Sequence, residues 1–79
     1  MSIGRELYKS LIKRYQSDIQ SNKTILMIYF KDSVGIGEHP QHLDEMDMLL
    51  CKISEANDKL ENLQREFPLD DATYLRPFE

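Results

Sequence analysis

From about residue 40 to residue 67, Leu43, Met46, Leu50, Ile53, Asn57, Leu60, Gln64 and Phe67 recur at alternating intervals of three and four, and Leu49, Ala56 and Leu63 widen the stripe. That period predicts an amphipathic helix whose apolar face is broader than contact with one other helix requires. From about residue 5 to residue 32, Leu7, Tyr8, Leu11, Ile12, Tyr15, Ile19, Leu26 and Tyr29 or Phe30 recur in a similar way among Lys, Arg, Ser and Gln, which predicts a first helix. The polar interval Gln20–Thr24 interrupts the stripe, with Asn22 where the seam expects an apolar side chain. The β-branched and aromatic run Thr24–Phe30 also fits a strand. A continuous helix is the better reading, because the chain offers no second strand of comparable quality to pair with it.

Between the two patterns lies Val34-Gly35-Ile36-Gly37-Glu38-His39-Pro40, which holds two of the three glycines and one of the three prolines. A glycine can leave helical geometry through the left-handed region, and Pro40 suits the first turn of a following helix. Residues 33–40 are therefore read as the corner of a helical hairpin. The fold class is all-α: a single domain over 1–79, made of a long antiparallel hairpin with an ordered tail over 68–79. Pairing outward from the corner sets positions whose numbers add to about 72 against one another. Asn57 then lies near Tyr15, whose hydroxyl would satisfy it, and Asn22 lies near Leu50, needing a partner from water or a second chain.

Ile25, Leu26, Met27, Ile28, Tyr29 and Phe30 are apolar on every side of a helix, and one partner helix covers only part of them. A chain of 79 residues without a disulfide framework is also near the lower limit for a self-sufficient core. Both arguments predict homo-oligomerisation, with two hairpins forming a four-helix bundle. In the tail, Leu69, Tyr74, Leu75 and Phe78 are too apolar for a solvated segment and are expected to dock on the hairpin or on a neighbour.

The formal net charge of −4 hides an asymmetry. Residues 1–37 carry six basic and three acidic groups, whereas residues 38–79 carry four basic and eleven acidic ones. Attraction between the two arms is the simplest consequence, and an acidic face toward a basic partner is the functional one. Cys51, the only cysteine, suits a reducing compartment and is expected to be a small buried hydrophobe. Met1–Glu6 lacks the apolar stretch of a signal peptide, and Ser2 does not fit myristoylation. The longest apolar run, Ile25–Phe30, is too short to span a bilayer. A soluble, intracellular protein without membrane partners is expected.

Candidate chemistry is sparse. Lys9, Lys13 and Arg14, flanked by Tyr8 and Tyr15, combine positive charge with aromatic rings in the manner of a nucleic-acid surface. Gly35 and Gly37 ahead of a helix offer backbone N–H groups to an anion, although Glu38 would repel it. His39 and His42, with Glu38 and Glu45 nearby, have the donor types of a zinc site but no convincing further ligand. No catalytic residue, cofactor or metal site is assigned. The candidate partner-binding residues are Gly35, Ile36, Gly37, Glu38, His39 and His42 at the corner, Met48 off the stripe of the second helix, and Tyr74 and Phe78 in the tail.

The GIGEHP string at the corner, the acidic amphipathic helix after it, and Ala56-Asn57-Asp58-Lys59-Leu60-Glu61 together resemble a group of uncharacterised small helical-hairpin proteins of tailed bacteriophages. The likeness spans roughly residues 6–67, and Gln41 departs from the acidic residue expected after Pro40. The resemblance implies a phage origin and residence in the host cytoplasm, and it carries no catalytic residue over. The expected function is that of a non-enzymatic accessory protein that binds and modulates a host protein. A nucleic-acid-associated factor, or a small anion or metal binder at the corner, are the alternatives.

Overall fold

Ser and Asn side chains within a helix can bond to the carbonyl four residues back, which leaves the backbone ladder in place at a slight cost in stability. In the computed structural model, which describes residues 3–31 and 42–68, the interval over 20–24 is resolved in that way. Ser21 Oγ donates to the Ser17 carbonyl, Asn22 Nδ2 donates to the Asp18 carbonyl at 2.7 Å, and Gln20 Nε2 donates to Thr24 Oγ1 at 3.0 Å. Each bond spans one turn, so the helix continues. Helix α1 is unbroken over Ile3–Lys31, and Thr24–Phe30 is helical, not a strand. Asn22 thus finds one partner within its own helix.

Helix α2 runs over His42–Glu66. Asp44 and Glu45 lie in its first turn and Arg65 in its last, each opposing the helix dipole favourably. The Phe67 N–H still donates to the Leu63 carbonyl at 3.0 Å, and Pro68, which has no N–H to give, follows the end. Among the described residues there are two helices and no strand. The corner over 33–40 and the tail beyond Pro68 lie outside the described residues.

The helices pack antiparallel. Tyr8 meets Leu63, Tyr15 meets Lys59, and Tyr29 meets both His42 and Glu45, so facing positions have numbers adding to about 71–74. The half-buried and buried positions of α1 include Tyr8, Ile12, Tyr15, Ile19, Asn22, Leu26 and Tyr29. On α2 they include His42, Met46, Leu49, Ile53, Ala56, Leu60 and Leu63, with Phe67 just beyond the helix. Both series step by four and three, the seam of an antiparallel coiled coil.

This seam corrects the expected one on α2. Leu43, Leu50, Asn57 and Gln64 are exposed, and the column one residue earlier faces α1. Ala56 is 4 % exposed, a small side chain buried in the seam. Because Asn57 lies off the seam, Tyr15 meets Lys59 instead, whose Nζ sits 5.9 Å from the ring centroid. On α1 the ambiguity at the corner end resolves to Tyr29, with Phe30 outside, and Leu7 is also exposed despite its place on the expected stripe. Cys51 is exposed too, not buried: it shares a seven-residue column with the charged Asp44, Asp58 and Arg65.

Candidate functional site

Two helices have little interior between them. Among the described residues only Tyr8 and Ala56 are buried, and no large side chain is fully enclosed. The positions where apolar groups remain in solvent therefore carry more information than the core does. Ile3 and Leu7 are exposed at the open end of the hairpin. Among the described residues every other large exposed apolar side chain lies in the corner half: Ile25, Met27, Ile28 and Phe30 on α1, and Leu43, Met48 and Leu50 on α2.

The two flanks of the seam differ in this half. On one flank, Phe30 follows the seam residue Tyr29, and Leu43 and Leu50 follow His42 and Leu49. In an antiparallel pair these positions fall on the same side, with Phe30 across from Leu43 in the observed register. They are 70 %, 77 % and 53 % exposed, and Met27 beside them is 42 % exposed. The opposite flank carries Ile25, Ile28 and Met48 but also charge. The Tyr29 hydroxyl donates a hydrogen bond to Glu45 Oε2, and a polar groove is lined by Asp18, Asn22, Lys52, Glu55, Ala56 and Lys59.

Glu45 raises the pKa of the Tyr29 phenol, first by accepting its hydrogen bond, then with help from desolvation and from its own negative charge. His42 stacks edge-on to Tyr29, with ring centroids 5.7 Å apart. The histidine proposed as a metal or partner ligand is thus part of the packing at the corner end of the seam. Among the described residues no three His, Cys, Asp or Glu side chains converge as a metal site. Glu38, His39, Gly35, Ile36, Gly37, Tyr74 and Phe78 lie outside the described residues, whereas Met48 is exposed beside the seam.

The basic and aromatic residues of α1 do not form one surface. Tyr8 is buried, with its hydroxyl 3.5 Å from the Leu63 carbonyl, and burial raises its pKa. The Tyr15 ring lies beneath Lys59. Lys9 sits 3.9 Å from Glu6, and Lys13 and Arg14 project into solvent. The two rings thus face α2, while the three cations of this stretch face solvent.

Comparison with protein families, with curated proteins and with solved structures gives no match. The remaining chemistry is local. Cys51 Sγ lies 3.6 Å from Glu55 Oε1; that contact, followed by the carboxylate's charge, desolvation and Asp47, raises the thiol's pKa and makes it a poorer nucleophile at neutral pH. Arg65 reaches Glu66 and Asn62. These exposed contacts support the helix and form no reaction centre. Neither helix is long and apolar enough to cross a membrane.

Proposed function

We propose that this chain is a non-enzymatic interaction protein, a phage accessory factor of the host cytoplasm that works as a small helical oligomer and binds and modulates a host protein. The observation that carries the reading is the concentration of unburied apolar side chains in the corner half, on helices that bury almost nothing between themselves. Single exposed apolar groups are ordinary on any surface, but seven within four turns of the same end are a contact surface. The oligomer is a four-helix bundle, in which a second hairpin covers what one partner helix leaves open. The host assignment rests on the phage-like GIGEHP corner.

Light scattering on the full chain and on a version ending at Pro68 tests the reading. A mass that is a multiple of 9.3 kDa and survives truncation places assembly in the helices and leaves the tail for another partner. A monomer in both cases would refute the bundle.

A further inference from the structure

The polar and apolar flanks of the hairpin, taken with the charges of its helices, specify how two copies meet. We propose that a second copy of this chain seats on the flank formed by Met27, Phe30, Leu43 and Leu50, with both corners at the same end and each α1 lying against the α2 of the other copy. The inference rests on the oligomer proposed above and adds the surface and the orientation.

Three observations carry it. The first is area. At roughly 200 Å² for a large apolar side chain, the exposed fractions of these four residues leave about 500 Å² of apolar surface per copy. A standard interface buries about 800 Å² per partner, about 65 % apolar in homodimers, so the flank supplies the apolar core such an interface needs. The second is position. Two antiparallel hairpins related by a two-fold axis close into a bundle in two ways: with the axis along the helices, bringing the corners together, or with the axis across them, sending the corners to opposite ends. Only the first brings a patch confined to the corner half against its own copy.

The third is charge. Helix α1 has six basic and two acidic side chains, a balance of +4, whereas α2 has three basic and seven acidic ones, a balance of −4. With the axis along the helices, every neighbour in the bundle is a helix of opposite charge. With the axis across them, α1 lies on α1 and α2 on α2, so like charges face each other. In the favoured arrangement Lys13, one turn out from the seam, comes level with Glu61 of the other copy by the register that holds within one hairpin.

The test is a distance. In a Cys51→Ser background, Lys31→Cys carries a spin label at the corner end, and Ile3→Cys carries one at the open end; all three positions are exposed. Helices packed about 10 Å apart place either label about 25–35 Å from its copy when the corners lie together. With the corners at opposite ends, the length of α1 puts each pair beyond about 40 Å. Short distances from both labels, lost on adding Leu43→Gln and Leu50→Gln, are the expected result. Long distances in a species of twice the chain mass would overturn the orientation and leave the oligomer standing. A monomer mass without dipolar coupling would overturn both. Circular dichroism of each labelled variant confirms that the helices are retained.

Discussion

Replacing Leu43 and Leu50 together by Gln separates the surface of the hairpin from its seam. Gln has nearly the helix propensity of Leu, so α2 itself is little affected. Full burial of a Leu side chain contributes about 1.5–3 kcal/mol. With 77 % of Leu43 and 53 % of Leu50 still in solvent, a second copy that covers them gains about 2–4 kcal/mol per chain, roughly twice that per dimer. At about 1.4 kcal/mol per tenfold, even half of that gain weakens association by at least about 30-fold. The hairpin also loses the covered half of Leu50, a cost of about 1 kcal/mol. Sedimentation velocity over a concentration series, with circular dichroism on the same samples, reads the two effects separately. Ile3→Gln, equally exposed but at the open end of α1, is the control and leaves association unchanged. An association constant unaltered by the Leu substitutions, or lowered equally by Ile3→Gln, would refute the assignment of this flank.

Other consequences concern single residues. Ala56→Leu forces volume into a buried position of the seam and is expected to destabilise the hairpin by about 1–3 kcal/mol, visible as a lower melting temperature. The phenols of Tyr8 and Tyr29 both titrate above their ordinary value of 10.0 in the folded chain, so the unfolded chain loses its protons first as pH rises. Their contribution to stability is whole below pH 10 and falls above it; Tyr29→Phe should flatten that alkaline loss in a urea titration. Cys51, whose thiol is held above its ordinary value of 9.0 chiefly by Glu55, should react slowly with a disulfide reagent at pH 8 despite its exposure, and Glu55→Gln should speed the reaction.

The two-helix architecture was legible because the hydrophobic period is strong on both sides of one glycine- and proline-bearing break. The surplus at the corner was legible as well: six consecutive apolar residues cannot all face one helix, and Ile25, Met27, Ile28 and Phe30 are indeed left outside. The α2 seam was harder to place, because Leu49 and Leu50 are equally apolar and a helix can turn either inward. The signal that decides it is spread over two further pairs, Ala56 against Asn57 and Leu63 against Gln64, each with its apolar member in the same column. Cys51 was misplaced by its residue type, although its column of Asp44, Asp58 and Arg65 pointed to solvent. The backward hydrogen bonds of Ser21 and Asn22 depend on rotamers that a hydrophobic pattern does not encode. Tyr8 and Tyr15 belong to the seam column, whereas Lys13 and Arg14 lie around the helix from them.

In the proposed bundle one hairpin is incomplete and is finished by a second copy. Folding coupled to association makes the melting temperature depend on protein concentration. A 100-fold change corresponds to about 2.7 kcal/mol, and spread over the unfolding entropy of two chains of this length it moves the midpoint by roughly 8 °C. Thermal melts of the full chain from low to high micromolar concentration, followed at 222 nm, measure this directly. A midpoint that climbs by several degrees is the predicted result; one that stays fixed across the whole range, with a monomer's mass throughout, would contradict it.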